Sequence, residues 1–290
     1  TSPEYADRPR LNVLKKAGVS RVSIGIQSFQ DEELKAIKRR PRQNTIYQAL
    51  DDIRQMDFPY FNIDLIYGIK GQTVESFLYS LEEALRFQPN ELFIYPLYVR
   101  QGTGITEREP DDVCFRMYRA ACKLLQAKGF LQTSMRRFIH HPSTDAEVSC
   151  GDEVMLSCGS GGRSYLGDLH YATRYTVCQQ CIAREIDEYM ATTDFTVARN
   201  GFILSAKEQQ QRFIIKNLMY YMGIDKAEYT RRFGEPLDRT PLFRQLAEQY
   251  WIEETPERIR LTPEGLGYSD YIGQLFITPE IRQLMETYSY

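Results

Sequence analysis

The chain has 290 residues, of which 42% are hydrophobic and 26% are charged, and its formal net charge is −3. This length can bury one large core or two ordinary ones, and the composition is that of a soluble globular protein. No run of about 18 apolar residues exists, so no membrane-spanning helix is predicted, and the acidic balance argues against general nucleic-acid binding. Six cysteines are too few for a disulfide framework, so we expect a reducing, cytoplasmic location.

The first 128 residues alternate between patterns typical of helices and of strands. Each predicted strand is an almost continuous apolar run, and the predicted helices repeat apolar residues at spacings of three and four. In chain order we predict a helix over Asp7–Lys16, a strand over Arg21–Ile26, helices over Asp31–Lys38 and from Asn44, a strand over Phe61–Tyr67, a helix from Thr73, a strand over Leu92–Tyr98 and a helix over Asp112–Lys128. This alternation indicates an α/β fold, in which helices surround a parallel sheet.

The pattern of predicted elements changes near residue 128 and again near residue 200, which divides the chain into three predicted regions. Residues 129–200 have no clean period, and there we expect an α+β extension with a strand over Phe130–Phe138, a glycine-rich loop over Cys158–Ser164 and a helix over Ile182–Met190. Residues 201–290 begin with a capping box formed by Ser205 and Glu208. Two helices, a hairpin and a further helix follow, which is the order of a winged-helix-like domain.

A winged-helix-like domain suggests DNA binding, but the charge of this region argues against that function. Between Ile224 and Phe276 the sequence has seven Lys or Arg residues and ten Asp or Glu residues, a net charge of −3. A surface that neutralises phosphates needs the opposite balance. We therefore favour a lid or packing module over a DNA-binding or other interaction module.

Three polar residues lie near the carboxyl ends of the first two predicted strands. Gln27 closes the first strand and can both donate and accept hydrogen bonds, while Asp64 interrupts the apolar second strand. A buried carboxylate is costly unless it is paired, so Asp64 is either half of a structural ion pair or a group that binds ligand hydroxyls. Arg39, on the helix after the first strand, suits a carboxylate. Together they predict a site for a ligand with a carboxylate and a ribose.

These residues lie in two long sequence motifs that resemble those of a known protein family. The segments GVSRVSIGIQSFQDEELKAIKRR and FNIDLIYGIKGQT are very similar to the oxygen-independent coproporphyrinogen III oxidase family of radical S-adenosylmethionine enzymes. ELFIYPLYVRQGTG resembles the next strand of that family, CGSGGRSYLG resembles its later loop, and LAEQYWIEETPERIRLTPEGLGYSDYIGQLF resembles its terminal module. The resemblance covers nearly the whole chain.

The resemblance implies a particular fold and cofactor site. Residues 1–128 would be the C-terminal half of a partial (β/α)6 barrel, followed by the α+β extension and the winged-helix-like module. Matched to the family motifs, the S-adenosylmethionine contacts would be Gln27, Arg39 and Asp64, with Tyr98 through its backbone and Arg163 in the glycine-rich loop. Asp64 would hold the ribose of the cofactor, and Arg39 and Gln27 would hold its methionine end.

The resemblance also implies a reaction and its partners. In the family, a reduced [4Fe–4S] cluster cleaves S-adenosylmethionine, and the resulting 5′-deoxyadenosyl radical abstracts hydrogen from the substrate. We therefore expect a radical S-adenosylmethionine oxidoreductase that acts on a small molecule, with a porphyrinogen or other tetrapyrrole as the candidate. Its electron donor would be a protein such as flavodoxin or ferredoxin. The alternative on the same scaffold is a non-catalytic protein that binds or transfers haem.

The cysteines of this chain do not follow the cluster motif of the family. That motif is Cys-x-x-x-Cys-x-x-Cys after the first barrel strand, so we expect the cluster ligands upstream of Thr1 and expect this chain to be inactive without them. Cys178 and Cys181 have the spacing of metal ligands, and with Cys150 and Cys158 they could form a four-thiolate site. Ordinary free thiols are the alternative.

Overall fold

The computed structural model describes most of the chain. The described residues are 1–40, 42–100, 102–140, 154–174, 176, 178–237 and 240–287, with side chains up to residue 283. The chain divides into two compact units, Thr1–Val99 with Ile105–Pro142, and Arg100–Gly104 with Ser143–Tyr290. The boundaries predicted near residues 128 and 200 stay predictions. Within the described ranges, no helix is long and apolar enough to cross a membrane.

The first unit is built around one mixed sheet. Its helices are α1 (Arg8–Lys16), α2 (Asp31–Ala36), α3 (Gln43–Met56), α4 (Val74–Leu85) and α5 (Asp111–Ala127), and its strands are β1 (Arg21–Gln27), β2 (Tyr60–Tyr67), β3 (Glu91–Pro96), β4 (Leu131–Gln132) and β5 (Arg137–Ile139). Strands β1, β2 and β3 are parallel neighbours in that order, and β5 and β4 continue the sheet in antiparallel pairs. The mixed α/β class predicted from the sequence is confirmed.

Alternation along the parallel strands gives the sheet one apolar face and one polar face. On the apolar face Ile24, Ile63 and Ile94 are fully buried, and they belong to the same core cluster as the inward side chains of α3, α4 and α5. Burial of apolar area is the main favourable term in folding, so this face holds the unit together. The register of the strands puts a second set of residues side by side on the opposite, polar face: Ser23, Gly25, Asn62, Asp64, Phe93 and Tyr95.

Two predicted helix starts in this unit are confirmed. The Asp7 side chain accepts a hydrogen bond from the backbone N–H of Arg10 at 2.9 Å, and α1 begins at the next residue, Arg8. Thr73 and Ser76 exchange side-chain and backbone hydrogen bonds at the start of α4. Such caps satisfy N–H groups that have no partner within the helix, which is why these polar residues mark the boundaries.

The second unit contains two further sheets. Its helices are α6 (Gln179–Ala191), α7 (Ala206–Leu218), α8 (Lys226–Phe233), α9 (Pro241–Glu248), α10 (Pro263–Gly267), α11 (Ser269–Leu275) and α12 (Pro279–Thr287), and its strands are β6 (Val154–Met155), β7 (Arg163–Leu166), β8 (Leu169–Ala172), β9 (Gly201–Ile203), β10 (Ile224–Asp225), β11 (Ile252–Glu254) and β12 (Arg258–Leu261). Strands β6, β7, β8 and β9 form an antiparallel sheet in chain order, and β10, β12 and β11 form a smaller one. The predicted capping box of Ser205 and Glu208 at the start of α7 is confirmed.

Two predicted elements in the first unit were too long. Helix α2 ends at Ala36 and not at Lys38, because Lys38 has a φ of 58° and leaves the helical conformation. Strand β3 ends at Pro96 and not at Tyr98. The neighbouring strand β2 ends at Tyr67 and the chain then turns at Gly68, whose φ is 82°, so pairing stops after a last bond from the Leu97 N–H to the Tyr67 carbonyl at 2.8 Å.

Two other predictions placed strand residues wrongly. The single strand predicted over Phe130–Phe138 is instead two short strands, β4 and β5, which pair antiparallel around a tight connection. The glycine-rich loop was predicted to include Arg163 and Ser164, but these residues begin β7 and pair with Ala172 and Tyr171 of β8. The backbone N–H and C=O groups of both segments are hydrogen-bonded to neighbouring strands. The pattern of apolar residues in the sequence does not reveal this pairing.

Candidate functional site

Gln27 ends β1 in a conformation that few residues other than glycine adopt. Its φ is 73°, and the strand register shifts between Gly25 and Gln27, which marks a bulge. The bulge folds the Gln27 amide back over Gly25, where a Cβ atom would lie only 2.5 Å from Gln27 Nε2. Gly25 pairs directly with Asp64 of β2. The buried Gln27 amide is therefore held at the same end of the polar face as the Asp64 carboxylate.

Asp64 is half-buried and has neutral hydrogen-bond partners. Asn62 Nδ2 donates to Asp64 Oδ1 at 2.7 Å, and Ser23 Oγ donates to Asp64 Oδ2 at 3.3 Å. Among the described residues no cation lies within ion-pair distance of this carboxylate, so the geometry does not support the structural ion pair considered from the sequence. Burial raises the pKa of Asp64, and the bonds from Asn62 and Ser23, and then the charges of the N-terminal ammonium and of Arg39, oppose that rise.

Arg39 lies just beyond α2, whereas the sequence predicted it on the helix. The Lys38 N–H donates to the Lys35 carbonyl at 3.0 Å, and the Arg39 N–H donates to the Leu34 carbonyl at 2.8 Å. With Lys38 in the left-handed conformation, these two bonds are a Schellman motif, which fixes the chain direction after the helix. The exposed Arg39 side chain is close enough for its charge to favour ionised Asp64.

Tyr98 follows the carboxyl end of β3 and completes this edge of the sheet. Its side chain is 43% exposed, and its hydroxyl accepts a hydrogen bond from Arg136 Nη2 at 2.6 Å. The Arg136 guanidinium also lies 5.8 Å from the centre of the Tyr95 ring on the polar face. Four of the five predicted site residues, namely Gln27, Arg39, Asp64 and Tyr98, are thus in the first unit near the carboxyl ends of the parallel strands.

Sequence reasoning missed a buried carboxylate beside this edge, Glu33 of α2. Its Oε2 atom accepts hydrogen bonds from Ser28 Oγ at 2.6 Å and Gln72 Nε2 at 2.9 Å, and its Oε1 atom accepts one from Ser76 Oγ. The network joins the segment after β1 to the segment after β2 and to α4. The sequence has no local signal for the burial of Glu33, because its three donors come from separate segments of the chain.

A second buried carboxylate, Glu91, closes the opposite end of the polar face. Arg137 Nη2 of β5 lies 2.6 Å from Glu91 Oε1, and Arg21 Nη1 of β1 lies 2.5 Å from Glu91 Oε2. The side chains of Glu91 and Arg137 are only 4% and 11% exposed. This triad ties β1, β3 and β5 together at the amino ends of the parallel strands, and it offers no group to a ligand.

The fifth predicted residue, Arg163, belongs to the second unit, where it begins β7 with an exposed side chain. Nearby, the Tyr165 ring stacks on His170 with 4.3 Å between centroids, and the Arg212 guanidinium lies 4.2 Å from the centre of the Tyr165 ring. Burial lowers the pKa of His170, and the charges of Arg163 and Arg212 lower it further. These effects favour the neutral form of the His170 imidazole.

Tyr165 and Arg212 also border a cavity of about 280 Å³ within the second unit. The wall is mainly apolar, with side chains such as Phe202, Ile215 and Phe276, and it includes the charged side chains of Glu208, Arg212 and Lys216. The sequence analysis did not find this cavity, because its walls come from strands β7 and β9 and from helices α7 and α12, which are distant in the chain.

The described cysteines do not assemble a metal site. Within the part of the chain that the structure describes, no three His, Cys, Asp or Glu side chains are grouped so that they could hold a metal ion. Cys158, Cys178 and Cys181 are all free thiols, and Cys150 lies outside the described residues. The four-thiolate site considered from the sequence therefore gains no support from its three described members.

Comparison with known proteins places this sheet and its edge in a protein class. The sequence profile of the Radical SAM superfamily matches residues 1–84, which contain Gln27, Arg39 and Asp64. The profile of the HemN C-terminal domain matches residues 204–267 in the second unit. The fold resembles the solved structure of Escherichia coli coproporphyrinogen III oxidase (HemN), described as a radical SAM enzyme, with a TM-score of 0.75 and 21% identity over 96% of this chain and 68% of that one.

Two curated relatives cover most of the chain. The heme chaperone HemW of Bacillus subtilis (strain 168) is 25% identical over 94% of this chain and 75% of its own length. The oxygen-independent coproporphyrinogen III oxidase of Thermostichus vulcanus is 25% identical over 91% of this chain and 87% of its own length. The fold and the matched segments define a radical SAM protein. Within that superfamily, the chain belongs to the HemN- and HemW-like family, also described as oxygen-independent coproporphyrinogen III oxidase-like.

The residues at the carboxyl edge of the sheet fit the S-adenosylmethionine that the superfamily typically uses. Asp64 presents carboxylate oxygens that can accept hydrogen bonds from ribose hydroxyls, and Gln27 presents an amide that can donate and accept. Gly25 leaves the space into which that amide folds, since a Cβ atom there would collide with it. The described residues offer no comparable set of ligands for a [4Fe–4S] cluster.

Proposed function

We propose that this protein is a radical S-adenosylmethionine oxidoreductase similar to oxygen-independent coproporphyrinogen III oxidase, with its cofactor at the carboxyl edge of β1, β2 and β3. The observation that carries the proposal is the juxtaposition of Gln27 and Asp64 across Gly25. A carboxylate with few donors and a folded-back amide share one end of the polar face, in a segment that matches the superfamily profile.

Each residue has a distinct role in this proposal. Asp64 accepts hydrogen bonds from the ribose hydroxyls, while Gln27 and Arg39 bind the amino-acid end of the cofactor, where the guanidinium matches a carboxylate. Tyr98 contributes backbone groups, and Arg163 is a further proposed contact. When bound together, S-adenosylmethionine and a [4Fe–4S] cluster supply a carbon radical that abstracts hydrogen from a substrate. The chain's own residues orient the cofactor and exclude water.

The proposal includes the finer architecture and the partners expected from the family. Residues 1–128 would be the C-terminal strands of a partial (β/α)6 barrel, and residues 201–290 a winged-helix-like module that acts as a lid or packing element. The acidic charge of that module is consistent with a role other than DNA binding. The substrate is a small molecule, with tetrapyrroles as candidates, the electron donor is of the flavodoxin or ferredoxin class, and the location is cytoplasmic.

The cofactor site is tested by binding of S-adenosylmethionine to the anaerobically reconstituted full-length protein. We expect Asp64→Ala to abolish measurable binding, because the ribose hydroxyls lose their acceptor. Asp112→Ala on the surface of α5, where the carboxylate pairs with Arg116, is the matched control and should bind like the wild type. Unchanged affinity in Asp64→Ala would remove this residue from the site. Absence of iron and of 5′-deoxyadenosine formation with a reductant would overturn the enzyme proposal as a whole.

Gly25→Ala tests the position of the Gln27 amide without removing any polar group. The new methyl group would occupy the place of Gln27 Nε2, so the amide must swing away, and we expect weaker cofactor binding. The displaced atom is the far end of a flexible side chain, so folding should be little affected. In a Gln27→Ala background the same change should have no further effect on binding, and an additive loss would contradict the proposed geometry.

The alternative function is haem binding or transfer without catalysis on the same scaffold. The observation that favours it is the similarity to proteins named heme chaperone HemW, one of which aligns over 94% of this chain. Haem titration and 5′-deoxyadenosine analysis of the same reconstituted protein separate the two functions. Stoichiometric haem binding without 5′-deoxyadenosine formation would favour the chaperone, and turnover of S-adenosylmethionine in the presence of a tetrapyrrole would favour the oxidoreductase.

A further inference from the structure

Two cysteines that the proposed cofactor site does not use lie at the start of helix α6. Cys178 is the N-cap residue of this helix, and Cys181 is in its first turn, so the two side chains are neighbours on one helical face. The Cys178 carbonyl accepts a hydrogen bond from the Ile182 N–H at 2.8 Å, which closes that first turn. Both cysteines are half-buried, so neither is enclosed in a core.

The surroundings make the two thiols chemically unequal. The adjacent Cys181 side chain lowers the pKa of Cys178, and the backbone at Cys181 and Gln180 and the charge of Arg184 act in the same direction. The Cys178 side chain in turn raises the pKa of Cys181. A helix N-terminus and a Cys-x-x-Cys spacing are the two features that most often stabilise a reactive thiolate.

The cysteines of the first unit have the opposite surroundings. Burial raises the pKa of Cys114, and burial raises the pKa of Cys122 to about 11. Both lie on α5 among core side chains, so they are inert structural thiols. Cys178 is therefore set apart from the core thiols by its position at a helix end and by a neighbouring thiol that can complete a disulfide.

We propose that Cys178 and Cys181 form a thiol–disulfide exchange site that reduces small disulfides of the glutathione disulfide type. Cys178 is the attacking residue: its thiolate bonds to one sulfur of the external disulfide, and the other sulfur leaves as a thiolate. Cys181 then gives its proton to solvent and attacks the Cys178 sulfur, which releases the second external thiolate. The dithiol loses two electrons to form the Cys178–Cys181 disulfide, and the external disulfide gains them.

A metal site is the rival use of the same spacing. A structural zinc ion takes four ligands, and within the described ranges no third His, Cys, Asp or Glu joins this pair. Two neighbouring thiols at the start of a helix need no third ligand for disulfide exchange. The inference does not depend on the cofactor proposal, because it uses no residue of the first unit.

Site-resolved alkylation tests the proposal in the purified full-length protein. We expect iodoacetamide to modify Cys178 several-fold faster than the exposed Cys158 at neutral pH, and Cys122 to react slowest of the three. After treatment with glutathione disulfide, the wild-type peptide should contain the Cys178–Cys181 disulfide and be about 2 Da lighter than the dithiol form. These two measurements require no variant, so a folding defect cannot obscure them.

Matched serine variants identify the two roles. Cys181→Ser should accumulate a glutathione adduct on Cys178, because the resolving thiol is absent, whereas Cys158→Ser should behave like the wild type. Cys178→Ser should lose the fast phase of alkylation. The proposal is overturned if Cys178 reacts no faster than Cys158, if the wild type retains glutathione on Cys178, or if the purified protein holds zinc that protects both thiols from alkylation.

Discussion

The two ends of the sheet's polar face place similar carboxylates in opposite settings. At the amino ends of the strands, Glu91 lies between the guanidinium groups of Arg21 and Arg137 and is almost completely buried. At the carboxyl ends, Asp64 receives two neutral donors and remains half-buried. One carboxylate is saturated by cations and the other keeps free acceptor capacity. The difference separates a group that joins strands from a group that can bind a ligand.

Glu33 shows that polarity alone does not distinguish these two uses. It lies close to the carboxyl edge, as Asp64 does, but three donors from Ser28, Gln72 and Ser76 converge on it. Its role is to fix the segments that follow β1 and β2, which carry the proposed cofactor contacts. The number of internal donors, and not the position near the edge, separates a supporting carboxylate from a binding one. Replacing each acid by its amide tests this ranking.

Glu91→Gln should have the largest effect on stability. The change removes the negative charge between two guanidinium groups, and breaking a buried ion pair costs about 3–5 kcal/mol of unfolding free energy. Urea unfolding of the variant and the wild type measures the difference. Arg116→Gln, which removes an exposed ion pair with Asp112, is a control with little expected effect. A loss from Glu91→Gln no larger than that of the control would show that the triad is not a structural clamp.

Glu33→Gln should have an intermediate effect. The amide keeps the shape of the acid but turns an N–H₂ group toward hydroxyl and amide donors, and an unsatisfied buried group costs about 1–3 kcal/mol. The same urea experiment measures it. Because the network supports the segments around Gln27 and Gln72, we also expect weaker binding of S-adenosylmethionine. If the variant unfolds at the same urea concentration as the wild type and binds S-adenosylmethionine normally, the Glu33 network neither stabilises the fold nor positions the segments around Gln27 and Gln72.

Asp64→Asn should change stability least, within about 1 kcal/mol, since the amide oxygen can still accept from Asn62 and the amide N–H₂ can donate to the Ser23 hydroxyl. The change in unfolding free energy caused by Asp64→Asn should depend on pH. Burial raises the pKa of Asp64 in the folded protein, so the protonated acid contributes stability below the ordinary pKa of about 3.9, and the wild type loses this contribution as the pH rises through the raised value. The variant has no such dependence. Its stability relative to the wild type should therefore increase between about pH 4 and pH 8.

Urea midpoints at the two pH values measure this trend, and Asp112→Asn controls for general charge effects. A trend of the opposite sign would mean that a cation stabilises ionised Asp64 in the folded protein. That result would return the residue to the structural ion pair considered from its sequence alone.

Strand positions and facing directions were predictable because they depend on local pattern. The apolar runs around Ile24 and Ile63 located β1 and β2, and the period of two along a strand puts Asp64 on the face opposite Ile63. Caps at Asp7 and Thr73 located helix starts through hydrogen bonds within one turn of the chain. These features need only neighbours in sequence, so a single sequence contains the information.

The parts that could not be predicted depend on contacts between distant residues. The sheet formed by β6 to β9 has short strands with no apolar period, and its ladders arise only when the strands meet. The donors around Glu33 come from three separate segments, so the residue looks like any exposed helical acid in the sequence. The bulge that folds Gln27 over Gly25 depends on the shifted register with β2. The positions of Gln27 and Asp64 were predictable, but their arrangement was not.

The left-handed backbone of Gln27 has a consequence for how a ligand would associate. A non-glycine residue in this conformation costs about 1–2 kcal/mol, and the protein incurs that cost when it folds, before any ligand arrives. The amide is then already oriented, so binding at this edge need not immobilise a flexible side chain, which would otherwise cost about 0.5–1.5 kcal/mol. Association should therefore lose little conformational entropy at Gln27, and the site is preorganised by strain in one peptide unit.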